Sequence, residues 1–507
     1  MNKTYLGIEL GSTRIKAVQI DESFQQVASG DFTWKSSFEN GIWTYPLEAV
    51  WTGLKHALGA LKDRTTVHQA GISAMMHGYL AFDENWNLLT PFRTWQNTIT
   101  GEAADRLSEL FNFNVPQRWS ISHLYQAMLN GEEHLSRIAH ITTLSGYVHY
   151  MLTGMNVLGV GDASGMFPID ENTMDYDQTM LDKMDTLTAD YPWSVRDLLP
   201  KVLTAGEQAG TLTEQGAALL DNLLPSGIPF APPEGDAGTG MVATNAVAPR
   251  TGNVSAGTSI FAMVVLEKQL SRFYPEIDIV TTPAGKPVAM VHCNNCTADM
   301  NAWVKVFAET AALFGAEITT DELYAKIYQK SLEGDADCGN VLVYNYLAGE
   351  GITHLDEGRP MVLRRPDSNF TLANFLRSQL YSTLATLKLG MDILENEQVG
   401  VDSLTGHGGL FKQKGVGQRY LAAACNAAVT CMENADVGGP YGMALLAAFT
   451  ALRTEGEALE DFLAGRVFCN AKSTTLSPNA ADVAGFTSYL KQYCAALAAQ
   501  KSAVESW

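Results

Sequence analysis

Two similar stretches indicate the architecture of this chain: residues 5–20, YLGIELGSTRIKAVQI, and residues 252–266, GNVSAGTSIFAMVVL. In each, a turn of glycine and small hydroxyl residues separates two apolar runs, which is typical of a β-hairpin. The turns are formed by Gly11, Ser12 and Thr13 and by Gly257, Thr258 and Ser259. Gly11 and Gly257 are 246 positions apart in a chain of 507 residues. This spacing predicts a duplicated domain, with one hairpin opening each half.

A turn of this composition lets the backbone approach a ligand closely and directs successive N–H groups at it, which suits a phosphate. An ordinary hairpin can carry the same residues, so one such turn is weak evidence. Two copies, one in each half, favour a phosphate-binding role.

The length of the chain predicts two large domains, because a single core seldom grows to 507 residues. We expect them at 1–246 and 247–507, with the boundary in the stretch 245–251. Helical spacing of apolar residues at 47–61 and 372–394 alternates with strand-like segments from Gln69 and from Ser403. The alternation predicts an α/β fold.

Acidic residues dominate: 55 Asp and Glu against 34 Lys and Arg give a formal net charge of −21. A nucleic-acid partner is therefore excluded, and an anion such as ATP must be bound by local backbone amides and a metal ion. The longest apolar stretch, near 442–452, is too short to cross a membrane and predicts a core helix. The absence of a secretory signal and the irregular spacing of seven cysteines predict a cytoplasmic protein. Cys293 and Cys296 have no second pair for zinc, which favours reduced thiols.

Asp236 is the candidate catalytic residue. It lies in the segment 228–241, IPFAPPEGDAGTGM, where a short apolar strand ends and small residues lead into a helix. A helix N-terminus favours the ionised carboxylate, which could accept a proton from an attacking hydroxyl. A plain helix N-cap aspartate is the alternative.

The order of these features resembles the FGGY carbohydrate kinases: an N-terminal hairpin with Gly-Ser-Thr, the Gly-Asp-Ala-Gly segment, a second hairpin and a late glycine cluster. Residues 73–97, SAMMHGYLAFDENWNLLTPFRTWQN, and residues 404–426, LTGHGGLFKQKGVGQRYLAAACN, are similar to members that act on ketoses. The resemblance covers essentially the whole chain. It implies two duplicated ribonuclease H-like domains of the actin-like ATPase fold around a central cleft, with ATP and Mg²⁺ as cofactors.

The resemblance also implies the roles of individual residues. Asp236 would be the base that accepts the sugar hydroxyl proton, and Glu9 and Asp236 would hold magnesium. The phosphates would lie against Gly11, Ser12, Thr13, Lys16, Gly257 and Thr258, and the adenosine against Gly406, Gly408 and Gly409. The sugar would contact Met76, His77, Trp95, Gln96 and Asn97. Read locally, His77 could instead be a hydrogen-bonded core histidine, and Trp95 could be ordinary core packing.

Three departures from the family pattern affect these expectations. Glu9 stands where the family usually has aspartate, which affects the metal. Gln96 and Asn97 replace the Asn-Asp of xylulose kinases, so a pentulose such as xylulose is expected while ribulose, another ketose or a sugar acid stay open. His407 interrupts the glycine cluster, which affects contacts with the nucleotide base.

Two other functions are compatible with parts of the pattern. A nucleotide-gated interaction ATPase, like actin or a chaperone, would share the fold but has no need of the Met76, His77 and Trp95 group. An ATP-driven electron-transfer activator would need cysteines for an iron–sulfur cluster, and one CxxC is too few. The expected partner is a small sugar, with a homodimer as a family-level possibility.

Overall fold

The computed structural model describes residues 3–432 and 438–506. The strands are β1 (Thr4–Leu10), β2 (Arg14–Asp21), β3 (Gln26–Thr33), β4 (Ser37–Glu39), β5 (Ile42–Thr44), β6 (Val67–Ala74), β7 (Leu80–Phe82), β8 (His140–Thr142), β9 (Val157–Gly159), β10 (Ile169–Asp170), β11 (Asp175–Tyr176), β12 (Lys201–Leu203), β13 (Glu234–Gly235), β14 (Thr251–Ala256), β15 (Ile260–Val265), β16 (Ile277–Thr281), β17 (Pro287–Cys293), β18 (Val341–Tyr344), β19 (Met361–Arg364), β20 (Ser403–His407), β21 (Ala428–Met432) and β22 (Ser473–Leu476).

The helices are α1 (Leu47–Gly59), α2 (Gly101–Phe111), α3 (Ser120–Asn130), α4 (Leu144–Thr153), α5 (Val160–Ala163), α6 (Gln178–Leu187), α7 (Val195–Leu198), α8 (Glu214–Leu219), α9 (Asp236–Ala243), α10 (Ala298–Leu313), α11 (Thr320–Ser331), α12 (Leu372–Asn396), α13 (Val416–Cys425), α14 (Gly439–Leu452), α15 (Leu459–Phe462) and α16 (Ala480–Ser506). The helices predicted at 47–61 and 372–394 are confirmed as α1 and α12. The strands predicted from Gln69 and Ser403 are confirmed as β6 and β20.

The chain forms two compact units, and each combines several segments. The first consists of Met1–Ala248, Ser271–Val288 and Val437–Ala471, and the second of Pro249–Leu270, Ala289–Asp436 and Lys472–Trp507. The domains predicted from the sequence, 1–246 and 247–507, are each one continuous segment of the chain. The units are discontinuous because α14, late in the chain, packs against β1, β6 and α9 of the first unit.

Both units contain a sheet built around a hairpin in the same way. In the first unit the strand order is β13-β6-β1-β2-β3, with β1 antiparallel to β2 and parallel to β6. In the second unit β17, β15, β14, β20 and β21 follow one another, with β14 antiparallel to β15 and parallel to β20. The predicted hairpins are confirmed as β1–β2 and β14–β15. The shared strand order is what a duplicated domain produces.

The core of the first unit forms around β1, whose apolar run is almost entirely buried. Gly7 lets α14 approach the strand, because a Cβ at this position would lie 2.0 Å from the carbonyl oxygen of Pro440. Helix α14 has buried side chains along most of its length, which confirms the core helix predicted at 442–452.

The core of the second unit is organised by α12, a helix of 25 residues capped by the side chain of Thr371. Arg377 of this helix is buried, and its guanidinium lies over the rings of Tyr381 and Tyr420. It donates a 2.7 Å hydrogen bond to the carboxylate of Asp482, which joins α16 to α12.

Two further expectations can be compared with the described residues. Within 3–432 and 438–506, no helix has both the length and the apolarity needed to cross a membrane. Cys293 and Cys296 are free and buried, which confirms reduced thiols there.

Candidate active site

Asp236 is the first residue of α9 and directly follows β13. The predicted position between a strand end and a helix start is therefore confirmed. Gly235 occupies the N-cap and no side chain caps this helix, so the N-cap alternative for Asp236 is wrong. Its Oδ1 accepts a 3.0 Å hydrogen bond from the N–H of Met76, which lies two residues beyond the end of β6. This bond joins the candidate base to the Met76–His77 pair.

The electrostatic environment of Asp236 differs from the one expected at a bare helix N-terminus. Burial raises the pKa of Asp236, and the backbone N–H groups of Met76 and Ala237 lower it only in part. The cost of desolvating the charge thus exceeds the gain from the helix amides. A carboxylate with a raised pKa is a stronger proton acceptor once it is ionised.

Glu9, on β1, is the second acidic group in this region. Burial, together with the negative charge of the Asp236 carboxylate, raises its pKa to about 7, although Lys16 lowers it. The ammonium of Lys16 lies 4.0 Å from the Glu9 carboxylate across the β1–β2 pair. A Cβ at Gly439, the first residue of α14, would lie 2.4 Å from Glu9 Oε1. The carboxylates of Glu9 and Asp236, whose negative charges repel each other, therefore lie beside the hairpin turn and a helix N-terminus.

Aromatic donors hold the turn of the first hairpin. The indole N–H of Trp34 donates to the Gly11 carbonyl at 2.7 Å, and the Tyr45 hydroxyl donates to the Ser12 carbonyl at 2.7 Å. The rings of Trp34 and Tyr45 contact each other at a tilt of 33°, with centroids 4.4 Å apart. Because these bonds use the carbonyls of the turn, its shape is set from outside the hairpin. Sequence reasoning missed Trp34 and Tyr45, since neither is near the turn in the chain.

His77 is buried, and its backbone has a positive φ of 70°. Its Nδ1 lies 3.2 Å from the carbonyl oxygen of Gly165, which requires that Nδ1 carry the proton and leaves Nε2 as an acceptor. Burial, together with the positive charge of the nearby Arg118, lowers the pKa of His77 to about 3. The imidazole is thus a neutral group that can accept a hydrogen bond from a hydroxyl.

The three side chains of the run Trp95, Gln96 and Asn97 lie in different environments. Trp95 is 40% exposed, so it is not ordinary core packing, and its indole N–H donates to Ser12 Oγ at 3.2 Å. Gln96 is half-buried, and its Oε1 has no hydrogen-bond partner among the described residues. Asn97 is buried, and its amide bonds the backbone of Trp43 at both ends, at 2.8 and 2.9 Å. Asn97 therefore holds two loops together, and Trp95 and Gln96 are better placed for a ligand.

Two buried acids that sequence reasoning missed lie beside Asp236. Glu234 accepts hydrogen bonds from the N–H groups of Gly161, at 3.3 Å, and Asp162, at 2.9 Å. Asp162 Oδ2 accepts from the hydroxyls of Thr143, at 2.6 Å, and Ser145, while its Oδ1 has no partner among the described residues. Burial, together with the negative charge of Asp236, raises the pKa of Asp162 to about 7, although the two hydroxyls lower it. A signal was available: the tripeptide Gly-Asp-Ala occurs at both 161–163 and 235–237.

In the second unit, the β14–β15 turn is anchored to the segment before α10. The Gly257 carbonyl accepts from the Thr297 hydroxyl at 2.8 Å, and the Thr258 carbonyl accepts from the Cys296 N–H at 3.0 Å. A Cβ at Gly257 would meet no atom within 4 Å. Hydrogen bonds to its carbonyl groups thus hold the predicted phosphate turn in place, and the space that a Cβ at Gly257 would enter is unoccupied.

The glycine cluster at the end of β20 has a different physical basis from the one expected. A Cβ at Gly406 would lie 2.5 Å from the ring of Phe411, and one at Gly408, where φ is +97°, would lie 2.5 Å from the Ala256 carbonyl oxygen. The space that a side chain at either glycine would occupy is therefore filled by the protein, and contact of adenosine with these glycines stays a prediction. Gly409 is exposed, and a Cβ at this position would meet only the Ala256 carbonyl oxygen, at 3.8 Å. His407 is half-buried, and burial lowers its pKa.

Comparison with known proteins decides the family. Residues 4–243 match the N-terminal domain of the FGGY family of carbohydrate kinases, and residues 252–451 match its C-terminal domain. The chain belongs to the FGGY family. The FGGY carbohydrate kinases are ATP-dependent enzymes that phosphorylate an alcohol group of a sugar, with ATP and Mg²⁺ as the cofactor pair. The resemblance expected from the sequence is confirmed.

Individual relatives within the FGGY family are distant in sequence. The xylulose kinase of Haemophilus influenzae is 21% identical over 96% of this chain and 98% of its own length, and that of Escherichia coli K12 is 23% identical over 88% and 90%. The structure of a ligand-bound xylulose kinase from Lactobacillus acidophilus matches with a TM-score of 0.80 at 16% identity, covering 98% of both chains. These likenesses confirm the two-domain α/β fold of the actin-like, ribonuclease H-like ATPases.

The residues of the first unit fit the magnesium ion that FGGY kinases use. Within the described residues no group of three or more His, Cys, Asp or Glu side chains forms a metal site. Mg²⁺ does not need one, because it keeps several waters and is held by one or two carboxylates together with the phosphates. Glu9 and Asp236 are two such carboxylates, and a divalent cation would relieve the repulsion that raises the pKa of Glu9.

Proposed function

We propose that this protein phosphorylates a ketose, with the pentulose xylulose as the first candidate, and that Asp236 is its catalytic base. The observation that carries the proposal is the 3.0 Å bond from the Met76 N–H to Asp236 Oδ1, which keeps the carboxylate beside His77. The names of the xylulose kinases among the relatives support the choice of sugar.

Charge favours a neutral sugar over a sugar acid. His77 stays uncharged at neutral pH because its pKa is lowered to about 3. Arg118 is paired with the Asp278 carboxylate, which also accepts a 2.9 Å bond from the Asn114 amide. A carboxylate on the substrate would therefore meet the negative charges of Glu9 and Asp236 without a cation reserved for it. Hydroxyl groups, in contrast, can donate to His77 Nε2.

In the proposed reaction, a sugar hydroxyl oxygen forms a bond to the γ-phosphorus of ATP. The bond from that phosphorus to the β–γ bridging oxygen breaks, and ADP leaves. The hydroxyl proton passes to the Asp236 carboxylate, whose raised pKa suits this transfer. The Met76 N–H orients the carboxylate, and water is excluded by the buried walls around His77.

The phosphates are proposed to contact both hairpin turns, at Gly11, Ser12 and Thr13 with Lys16 and at Gly257 and Thr258. Phosphoryl transfer depends mainly on positioning and on neutralising charge, which backbone amides and one ammonium supply. Magnesium, held by Glu9 and Asp236, would neutralise the phosphate charge. Adenosine is proposed to lie near the exposed Gly409, with Gly406 and Gly408 shaping the chain behind it.

The test of the base is Asp236→Asn, which keeps the acceptor for the Met76 N–H and removes the charge. Sugar-dependent ADP release should fall at least about 100-fold, the usual minimum for a lost general base. Binding of ATP without magnesium, measured by calorimetry, should be retained. Asp105→Asn, an exposed change on α2, is the matched control. Normal turnover in Asp236→Asn would contradict the proposed base.

The sugar is tested separately, by measuring ADP release with D-xylulose, D-ribulose, other ketoses and gluconate. We expect the highest kcat/KM with a neutral pentulose. Preference for gluconate would contradict the charge argument and leave the kinase assignment intact. ATP hydrolysis that is independent of every sugar would instead favour a nucleotide-gated interaction protein.

The setting of the enzyme is also proposed. All seven cysteines are free, which supports work in the reducing, ATP-containing cytoplasm. Association of two copies into a homodimer is supported by the apolar side chains that one helix of the second unit exposes.

A further inference from the structure

The short segment 294–297, between β17 and α10, holds the turn of the β14–β15 hairpin, and we call it the anchor segment. The N–H of Thr297 donates to the Gly257 carbonyl at 3.2 Å, and the Thr297 hydroxyl donates to the same carbonyl at 2.8 Å. The N–H of Cys296 donates to the Thr258 carbonyl at 3.0 Å. Thr297 is the N-cap residue of α10, where a threonine hydroxyl usually caps its own helix, but no side chain caps α10. The hydroxyl therefore supports the turn instead of the helix.

The bonded carbonyls fix the direction of two N–H groups in this turn. The peptide bonds of the described residues are trans, so the N–H of each peptide unit points opposite to its C=O. The Gly257 carbonyl shares a peptide unit with the Thr258 N–H, and the Thr258 carbonyl shares one with the Ser259 N–H. Because both carbonyls point at the anchor segment, these two N–H groups point away from it. Successive N–H groups of a turn that point to one side can bind an anion such as a phosphate.

The turn of the first hairpin is held in the same way by different groups. The carbonyls of Gly11 and Ser12 accept hydrogen bonds from the side chains of Trp34 and Tyr45. Corresponding carbonyls of the two duplicated hairpins are therefore both bonded from outside the hairpin. Since the donors differ and the bonded carbonyls correspond, the feature that the two turns share is the orientation of their N–H groups.

The carboxylate of Glu350 holds the other end of the anchor segment. Its Oε1 accepts from the Asn294 N–H at 3.4 Å, and its Oε2 accepts from the N–H of Asn295 at 3.3 Å and from the side-chain amide of Asn295 at 3.2 Å. Glu350 is only 1% exposed. Burial raises its pKa to about 7, although these amide groups lower it. A carboxylate that is buried against such a cost is a common feature of functional sites.

The side chain of Asn295 adds a second connection between the anchor segment and the loop that carries Glu350. Its Oδ1 accepts from the N–H groups of Leu347, at 2.9 Å, and Ala348, at 3.0 Å. Its Nδ2 donates to the Ala348 carbonyl at 3.0 Å. The anchor segment is thus bonded to this loop on one side and to the hairpin turn on the other, so a change at Glu350 reaches the turn through it.

We propose that Glu350 is a positioning residue for ATP, because it fixes the anchor segment that directs the Thr258 and Ser259 N–H groups toward the phosphates. The inference rests on the proposed contact between this turn and ATP. The Glu350 carboxylate bonds the anchor segment, so it acts on the nucleotide through that segment. Its loss should consequently weaken ATP binding and leave the sugar site unchanged.

The experiment measures ATP binding to the full chain by calorimetry without sugar, at a pH above the pKa of Glu350. Glu350→Gln removes the charge and turns one of the two acceptor oxygens into a donor, so the Kd for ATP should rise about tenfold. In steady-state kinetics KM for ATP should rise by a similar factor, with KM for the sugar and kcat unchanged. Asp335→Asn is the matched control, because this carboxylate also accepts from amides, those of Asn369 and Asn374 at 2.7 and 2.9 Å, outside the anchor segment.

A second variant tests whether Glu350 acts through the anchor segment. Thr297→Val removes the hydroxyl bond to Gly257 and should raise the Kd for ATP about fivefold. If both changes release the same segment, the double variant should bind ATP about tenfold more weakly than the wild type, and not about fiftyfold.

Three results would overturn the proposal: an unchanged Kd for ATP in Glu350→Gln, an equal loss in Asp335→Asn, or a double variant whose loss is the product of the two single losses. Sugar-dependent ADP release by the wild type is measured separately. Its absence, with ATP binding and the variants as expected, would contradict the assignment of the sugar and leave the role of Glu350 intact.

Discussion

Asp162 and Glu234 show how burial changes the chemistry of single residues near the candidate base. Asp162 is held by two hydroxyl groups and Glu234 by two backbone N–H groups, with no cation paired to either in the described residues. Asp236 could be predicted because it follows a strand and precedes small residues. Asp162 lies in the same Gly-Asp-Ala tripeptide, but its burial depends on contacts with α4 and β13 that are remote in sequence.

The pKa of Asp162 predicts how stability changes with pH. Burial raises this pKa from 3.8 to about 7, so the folded state favours the neutral carboxyl. Its contribution to stability is complete below about pH 4 and is lost as the pH rises through 7. In Asp162→Asn, the amide oxygen can still accept from Thr143 and Ser145, and the side chain cannot ionise. Between about pH 4 and about pH 7, the free energy of unfolding of the wild type should fall by about 3–4 kcal/mol relative to that of the variant, and by less if the site relaxes.

This prediction is checked by denaturation with urea at pH 5 and pH 8. The difference in the free energy of unfolding between the wild type and Asp162→Asn should shift in favour of the variant at pH 8. Asp105→Asn, on an exposed surface, should show the pH dependence of the wild type. Parallel pH profiles for wild type and Asp162→Asn would mean that the buried carboxyl does not titrate in this range.

At the scale of elements, the sequence predicts the position and type of the β1–β2 hairpin. It does not predict the hydrogen bonds that support the turn of this hairpin. The repeated apolar run, turn and apolar run specify the strands locally. The shape of the turn depends on Trp34 and Tyr45, which bond the Gly11 and Ser12 carbonyls. Asn97 is a similar case, because a residue expected at the sugar bonds the backbone of Trp43.

Removing one of these donors should weaken ATP binding without removing the base. In Tyr45→Phe the Ser12 carbonyl loses a 2.7 Å hydrogen bond, and the turn loses rigidity. We expect KM for ATP to rise about fivefold, which corresponds to a bond of about 1 kcal/mol, with little change in kcat. Steady-state kinetics at saturating sugar measure both constants.

Tyr5→Phe is the matched control for this change. Tyr5 lies on β1, and its hydroxyl is buried without a hydrogen-bond partner among the described residues. Its removal should leave KM for ATP unchanged. Equal effects of both substitutions would contradict a specific role for Tyr45 at the turn.

At the scale of the whole molecule, charge and domain composition matter most. The chain carries a net charge of −21 and is proposed to bind an anionic nucleotide. Long-range repulsion should therefore oppose the approach of ATP, and local groups such as Lys16 must compensate. The composition of the two units also appears only at this scale, because three segments build each of them.

Salt should consequently improve nucleotide binding. Raising the ionic strength from about 0.01 to about 0.15 M shortens the screening length from about 30 to about 8 Å. We expect KM for MgATP to fall about twofold over this range, since the repulsion of the distant acidic residues is screened. The KM of the neutral sugar serves as the internal control and should not change. A rise in KM for MgATP with salt would show that local attraction dominates.

The duplicated hairpins, the main helices, the family and the position of Asp236 can all be predicted from the amino-acid sequence. These features depend on local patterns, such as apolar periodicity and glycine turns, that are readable along the chain. The raised pKa values of Asp162 and Glu9, the aromatic support of the first turn, the filled space beside Gly406 and the exposed apolar side chains of α10 depend on the tertiary structure. Each of these depends on which distant residues exclude water from a group, and that exclusion exists only once the chain has folded.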